Sequence, residues 1–483
     1  MKHMRQKTIF IATHQGFTTR YLLQTDILAR LKEYGHRIVI ISPNSNDENF
    51  RNDYVSENVF IEQFNYKKIY TIRDTFLYQF FTQTRRFIFP DGLDIATLRD
   101  KEKAVRYNLN KKPIKQRIVL LTTLWLAALC RKYRLLRVLF LQIERLLFSK
   151  KFHQKIFDYY KPDMLILADV GTIDISNFIM REAKAHNVPV VSIVLSWDNL
   201  TAKGIGGVKP DYAVAWNSNM KDELMRYHEV PSERIFVGGI PHFDLYFKPC
   251  FPISETEFRN MFGLVEGKKI LFYGTASPSS FRENVRILRL LIEGIRDGRV
   301  LEPVQVIVRP HPVYYIRSTE TIKEEATAIE ALCEQNRDII RLNKPQVRQR
   351  KIGCEMPIAD QKILGAILKH SNVFLNQFST LMLEAAIFDL PIINIGFDNF
   401  RNIEMKSTEL QFRTHLSRVL DTGFARMAES EAQLFELINL YLRDSSCDRE
   451  KRKVIRENEG GSHKGSAGNA IAYYLHTLAV GNN

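Results

Sequence analysis

The feature that most constrains this chain is a recurring order of short apolar runs and amphipathic segments. Near the start, KTIFIAT reads as a buried strand and HQGFTTRY as a loop containing Gly16. LLQTDILARLKEYG has apolar residues at helical spacing and stops at Gly35, and HRIVIIS is a second buried strand. Strand, loop, helix and strand in that order form a βαβ unit, which requires a parallel sheet. The order returns with PDMLILAD, a predicted strand ending at Asp169, then the helix GTIDISNFIMREAKAHNV and the strand PVVSIVLSWDN. DYAVAWN, SNMKDELMRYHEV and RIFVGGIPHFDLYF continue it as strand, helix and strand. The order breaks at Lys248-Pro249, Pro252 and Glu266-Gly267, then starts again at KKILFYGTAS. VQVIVRPHP, SNVFLNQ, the helix STLMLEAAIFDL and the strand PIINIGFD follow. The expected fold class is α/β, two doubly wound Rossmann-like domains at 1–250 and 251–483. A C-terminal helix, SAGNAIAYYLHTL, is expected to pack back on the N-terminal domain. Residues 43–110 read as irregular, polar and aromatic.

A length of 483 residues suits two to three domains, and 45% apolar with 25% charged residues is ordinary for a globular chain. The five cysteines (Cys130, Cys250, Cys333, Cys354 and Cys447) are scattered and form no CxxC pair. That pattern points to neither a disulfide framework nor a cysteine zinc site, and it fits a reducing cytosol. The apolar run Thr8–Thr13 is too short for a secretory signal.

The net charge of +15 calls for a negatively charged partner. Residues 111–155 hold 12 lysines or arginines against one acid, Glu144. The same segment contains IVLLTTLWLAALC and LLRVLFLQIERLLF, and its uncharged run of 13 residues falls short of the ~20 that span a bilayer. A helix lying on an anionic membrane fits, with Trp125, Arg131, Lys132, Arg134 and Arg137 in contact and Trp125 and Tyr133 as interfacial anchors. The alternative is a helix packed on the protein's own core with its basic face in water. Nucleic acid is not indicated: the chain has no RNA-binding module, zinc finger or aromatic-basic interleaving.

Candidate chemistry gathers at predicted strand ends. Arg309 and His311 follow a buried strand, where a guanidinium can hold a phosphate bidentately and an imidazole can donate one hydrogen bond. Pro312 fixes that loop. Ser379 and Thr380 begin a helix, where hydroxyls and unpaired N–H groups can hold an anion or simply cap the helix. Glu384 lies about one turn further. Thr275 and Ser277 follow the strand ILFYG, with Gly274 permitting close approach to a ligand. A hydroxyl acceptor needs a general base, and His14, Asp169 and Asp198 are the candidates. Asn199 and Lys203 are placed to orient Asp198 or bind phosphate. Alternatively, Asp198 caps a turn and His14 closes its loop. His242 and Asp244 read as organisers of the inter-domain junction. With no HExxH, no DxD in a strand-end loop and no clustered histidines, neither a metal nor another cofactor is expected.

Taken in order, FYGTAS (272–277), VRPHP (308–312) and NQFSTLMLEAAIFDLPIINIGFD (376–398) resemble the donor site of CDP-glycerol glycerophosphotransferases and capsule-polysaccharide transferases. SWDNLTAKG (196–204) and VGGIPHFD (237–244) add to the resemblance, which covers roughly residues 160–480. It implies a GT-B glycosyltransferase architecture with a central cleft, a donor phosphate on His311, ribose hydroxyls on Glu384 and no bound metal. The implied activity is a glycosyl or polyol-phosphate transfer in bacterial surface-polysaccharide synthesis. The donor would be nucleotide-activated and the acceptor lipid-linked or a glycan. The implied location is cytoplasmic, peripheral on the inner face of the membrane. The chain lacks the second His-Pro motif of the glycerophosphotransferases and has NQFSTLM where they carry a DYSS-type run. The resemblance therefore supports a nucleotide-linked donor rather than CDP-glycerol in particular. Two alternatives share this architecture: a non-hydrolysing UDP-sugar 2-epimerase, whose glycine-rich loop is replaced here by NQFST, and a non-catalytic binding subunit.

Overall fold

The structure is a computed structural model that describes residues 6–14, 16–90, 95–248, 251, 253–278, 281, 283–316, 319–350, 353–397 and 413–481. Two compact units divide the chain. The first comprises 1–244, 349–355 and 461–483; the second comprises 245–348 and 356–460. Pro249, Pro252 and the boundary read at residue 250 lie outside the described residues.

The first unit holds a seven-stranded sheet of β1 (Thr8–Ala12), β2 (Arg37–Ser42), β3 (Val59–Gln63), β4 (Met164–Leu167), β5 (Val190–Ile193), β6 (Tyr212–Ala215) and β7 (Ile235–Val237), ordered β3-β2-β1-β4-β5-β6-β7. Every neighbouring pair is parallel; Ile11, for example, lies beside Ile40 on one side and Ile166 on the other. All five residues of TIFIA in β1 are buried, as a parallel strand covered by helices on both faces requires.

The second unit contains β8 (Lys269–Gly274), β9 (Val304–Arg309) and β10 (Ile340–Leu342). The short strands β11 (Arg348–Gln349) and β12 (Cys354–Glu355) pair separately. β13 (Val373–Asn376), β14 (Ile392–Ile395) and β15 (Ala425–Ala428) complete a six-stranded sheet ordered β10-β9-β8-β13-β14-β15. Its core joins Leu271, Val306, Leu375 and Ile393 to the apolar stripes of helices Asn284–Arg296 and Glu431–Arg443. In both sheets the strand order reverses once, between β1 and β4 and between β8 and β13. Loops leave such a switch point in opposite directions and open a crevice at the carboxyl edge, where doubly wound proteins bind ligands.

Residues 43–110 are not irregular. They contain β3 and helices Glu48–Tyr54, Tyr66–Arg73, Phe76–Arg85 and Ala96–Asn108, which bury Phe50, Ile69, Tyr78, Phe81 and Leu98. Each helix is only 7 to 13 residues long, so its periodicity covers few turns and is masked by polar neighbours.

The basic segment forms helices Ile114–Lys132 and Arg134–Phe148. The second is turned against the usual rule. Its buried face carries Arg137 and Glu144 beside Phe140 and Phe148, while Leu135 and Leu146 are 84% and 80% exposed. Glu144 is fixed inside by Arg85 (2.8 Å) and Arg181 (2.6 Å).

The last helix, Ala467–Gly481, belongs to the first unit, where it packs on Asp26–Glu33. Asp244 accepts hydrogen bonds from the N–H groups of Ala467 (2.9 Å) and Gly468 (2.8 Å). Gly16 opens the helix after β1. A Cβ there would lie 1.7 Å from the carbonyl oxygen of Cys354, so only glycine fits. Cys130, Cys333, Cys354 and Cys447 are free thiols.

Candidate active site

In the second unit, the loops after β8, β9 and β13 carry the expected donor-site residues. Thr275, just past β8, donates its backbone N–H to the Arg309 carbonyl (3.1 Å). Its Oγ1 accepts the N–H of His311 (2.9 Å). Thr275 thereby ties the His311 loop to its neighbour, and its hydroxyl proton is what it can offer a ligand. His311 Nδ1 accepts the Val313 N–H (3.2 Å), so the neutral ring carries its proton on Nε2 as a hydrogen-bond donor. Ser277 accepts the Phe281 N–H on its carbonyl. Gly274 makes room for the Phe374 ring, 3.1 Å from an added Cβ, rather than for a ligand.

Arg309 is not turned toward a ligand. Its guanidinium is buried, pairs with Asp360 at 2.6 Å and donates to Asn343. The other Asp360 oxygen accepts the Gln346 N–H (2.8 Å). A strand-end arginine of odd side-chain direction is thus an internal tie between β9 and helix Ile358–His370.

The turn after β13 is built by two asparagines that face each other in register across β13 and β14, Asn376 and Asn394, both fully buried. Asn376 Oδ1 accepts the Ser379 N–H (3.1 Å), and Asn394 Oδ1 accepts that of Phe378 (3.2 Å). Phe378 sits at φ +50°, a left-handed conformation that costs a side-chain-bearing residue roughly 1–2 kcal/mol. Ser379 Oγ accepts the Leu381 N–H (3.2 Å), while the N–H groups of Met382 and Leu383 bond to the carbonyls of Ser379 and Thr380. The N–H groups of Phe378, Ser379, Leu381, Met382 and Leu383 are therefore consumed within the turn, so that the hydroxyls of Ser379 and Thr380 are the main groups left to meet an anion. Glu384 accepts the Tyr246 hydroxyl (2.6 Å), which fixes one carboxylate oxygen.

Sequence reading missed Asn284. Fully buried at the start of its helix, it bonds both the N–H (3.1 Å) and the carbonyl (3.2 Å) of Ala276, the Phe281 carbonyl (3.2 Å) and the Tyr314 hydroxyl (2.9 Å). One carboxamide thus fastens the loop after β8 and the segment after His311. A polar residue opening an apolar helix was its only signal.

In the first unit, His14 follows β1, and Asp169 and Ser176 follow β4. His14 Nε2 lies 3.3 Å from Ser176 Oγ. Burial, aided by the charge of Lys203, lowers the His14 pKa to about 4, so the ring is neutral near pH 7. Burial raises the Asp169 carboxyl, against hydrogen bonds from Ile173, Thr172 and Ser176 and the charge of Lys203. Both Asp169 oxygens accept bonds from the turn Thr172–Ile173. Asp198 is partly exposed and accepts the Ser196 hydroxyl (2.7 Å) on one oxygen. It precedes the short helix Asn199–Ala202 but makes no side-chain cap. Asn199 is fully buried, and its carboxamide has no partner among the described residues. His242 packs among Phe17, Tyr21, Trp216 and Phe243, and burial with the charge of Arg20 holds it well below the usual imidazole range. Arg20 is itself 6% exposed, and its Nε finds no partner among the described residues.

Of the residues expected at a membrane, Trp125 is 63% exposed, and Lys132 and Arg134 face solvent. Arg131 pairs with Glu102 (2.5 Å). Arg137 is buried, pairs with Glu229 (2.5 Å) and donates to the Cys130 carbonyl, so it cannot reach an open lipid surface. Among the described residues no helix is long and apolar enough to cross a membrane.

No protein-family model matches the chain, and no curated protein sequence matches it. Solved structures do. A glycosyltransferase from Rickettsia africae ESF-5 superposes with a TM-score of 0.51 at 10% identity, covering 99% of this chain and 100% of that one. S. aureus MnaA, in a co-structure with UDP, gives 0.52 at 12% identity over 98% and 97% of the two chains. The UDP-GlcNAc 2-epimerase from Neisseria meningitidis, bound to UDP-GlcNAc, gives 0.52 at 11% identity over 97% and 100%. At such identities the likeness concerns the fold, and with two parallel sheets each reversing order once, this chain has the GT-B fold.

Proposed function

We propose that this chain is a transferase that moves a glycosyl or polyol-phosphate group from a nucleotide-activated donor to a lipid-linked or glycan acceptor in surface-polymer synthesis. The observation that carries the reading is the His311 loop. It leaves β9, the neighbour of β8 at the switch point of the second sheet, is pinned by Thr275, and has Nδ1 occupied by the Val313 N–H, so that a ring proton sits on Nε2. A departing nucleotide gathers negative charge on phosphate oxygens, and a pre-set N–H donor stabilises that charge more than the ground state. Neighbours of this fold bound to UDP and UDP-GlcNAc support a nucleotide-linked donor. Thr275, Ser277, Ser379 and Thr380 supply hydroxyls around that loop, and Glu384, held by Tyr246, is the group for ribose hydroxyls. Arg309 positions the loop through Asp360 and does not touch the donor.

On the acceptor side the general base is Asp198. His14 Nε2 is held at the Ser176 hydroxyl, and Asp169 spends both oxygens on its own turn. Asp198 keeps a partly exposed carboxylate with one oxygen bonded to Ser196. The exposed leucines and basic residues of 114–148 support docking on an anionic membrane, where lipid-linked acceptors reside.

The test is thermal unfolding in the presence of CMP, CDP, UMP, UDP, GDP or ADP. One nucleotide should raise Tm, by ~2.7 kcal/mol of added stability at a hundredfold excess over Kd, and His311→Ala should lose the rise. Asp198→Asn should keep the rise and lower turnover by about 10²–10⁴-fold. No shift with any nucleotide would refute the donor site. The epimerase reading draws on the neighbours of that description and predicts turnover of UDP-GlcNAc with no acceptor present.

A further inference from the structure

The outward-facing helix Arg134–Phe148 forms one wall of a cavity of about 360 Å³ in the first unit. Arg137, Arg145, Arg181, Lys184 and Lys209 line it, with Glu229 as the single acid in the wall. Three carboxylates meet these cations: Glu229 pairs with Arg137 and Lys209, Glu144 with Arg181, and Asp211 with Lys184. Positive charge remains in excess. Arg145 is exposed and has no carboxylate partner among the described residues. Arg181 is 2% exposed, yet its Nε and Nη1 have no acceptor among them; the same holds for Nε of Arg137, at 4%. Buried guanidinium N–H groups without acceptors are costly and mark a place where an anion would be held.

The cavity also lies beside an apolar surface. Leu135, Leu139 and Leu146 form an exposed stripe on the same helix, and Val138, 44% exposed, both lines the cavity and borders the stripe. A cationic recess bordered by leucines matches an amphiphile with an anionic head. We propose that the cavity takes the phosphate of an anionic phospholipid, whose acyl chains lie against the leucine stripe. This rests on the reading that the face meets a membrane, and it makes Arg137 a wall of the recess rather than a contact on the open surface.

The test is sedimentation with phosphatidylcholine vesicles, with and without phosphatidylglycerol, for wild type, Arg145→Glu and Lys112→Glu. Both substitutions reverse one exposed charge of the same segment, but only Arg145 lines the cavity. Phosphatidylglycerol should strengthen wild-type binding, and Arg145→Glu should lose about tenfold more affinity than Lys112→Glu. Equal losses would assign binding to diffuse surface charge and overturn the recess while leaving membrane docking intact. If wild type ignores both vesicles, docking fails, and the recess is judged by monomeric short-chain phosphatidylglycerol. That lipid must raise the Tm of wild type and not of Arg145→Glu. An equal rise with inorganic phosphate would make this a free-phosphate site and overturn the lipid assignment.

Discussion

Arg309→Met separates two roles for one guanidinium. The Arg309 and Asp360 side chains are 5% and 1% exposed, with a 2.6 Å contact between them. Methionine keeps much of the stem and removes the charge, which leaves the Asp360 carboxyl buried with no cation. Breaking a buried pair by deleting one partner costs ~3–5 kcal/mol, because the remaining charge has neither water nor counter-ion. For a unit of this size each kcal/mol moves Tm by ~2–4 °C, so the expected fall is roughly 6–20 °C. Asp360→Leu should lose a similar amount, since it strands the guanidinium and frees the Gln346 N–H. The double variant removes both charges and should regain at least half of the summed loss, a coupling that a double-mutant cycle reads directly. The assay is thermal unfolding of the four proteins, repeated with the stabilising nucleotide. Below its own transition, Arg309→Met should still respond to that nucleotide. A variant that melts within about 1 kcal/mol of wild type yet has lost the nucleotide response would refute the internal-tie argument and put the guanidinium on the ligand.

Three further outcomes are expected. His14, His36 and His228 are each lowered to about 4, in every case chiefly by burial. Unfolded, they take a proton near pH 6.5, so their contribution is complete above that pH and is lost progressively toward pH ~4. Urea midpoints should fall between pH 7 and 5, and His228→Gln should flatten the fall; an unchanged slope would remove His228 from the effect. Arg20→Met deletes a buried cation whose Nε has no partner among the described residues and should melt at or above wild type, whereas a loss beyond about 1 kcal/mol would reveal an ion pair. Asp244→Ala frees the first two N–H groups of the last helix and should cost ~1–2 kcal/mol, read as faster hydrogen exchange over Ala467–Gly481; unchanged protection would mean the cap is idle.

The sheets were legible because burial on both faces writes a strand as a nearly continuous apolar run. TIFIA, RIVIIS, MLIL and VQVIVR carry that signal within themselves. Loops at strand ends were legible for the same reason, since a run that stops must turn. What happens inside the loops was not. Arg309 and His311 are two residues apart and look equally placed for a phosphate, yet one turns inward because Asp360, 51 residues later, is there to meet it. The Asn376–Asn394 pair and Asn284 were overlooked because an asparagine's worth depends on which N–H groups lie within 3 Å, a property of the folded backbone and not of local pattern. The short helices in 43–110 failed for a different reason, having too few turns for periodicity to show.

The helix Arg134–Phe148 shows how far pattern alone can mislead about direction. Its sequence has two stripes that could each face inward, and the leucine stripe is the more apolar. The core instead takes the stripe with Arg137 and Glu144, because partners far along the chain, Arg85, Arg181 and Glu229, wait for those charges. Once paired, such charges are expensive to expose singly, so the orientation is fixed from within and the leucines are left outside. Fully burying one exposed leucine is worth ~1.5–3 kcal/mol, so moving Leu135, Leu139 and Leu146, which are 84%, 55% and 80% exposed, out of water makes roughly 3–7 kcal/mol available. An interior that locks the helix in this sense also fixes the only direction in which that energy can be recovered, against an apolar surface brought to it from outside. In the proposed docking, the basic residues around the stripe would select an anionic surface.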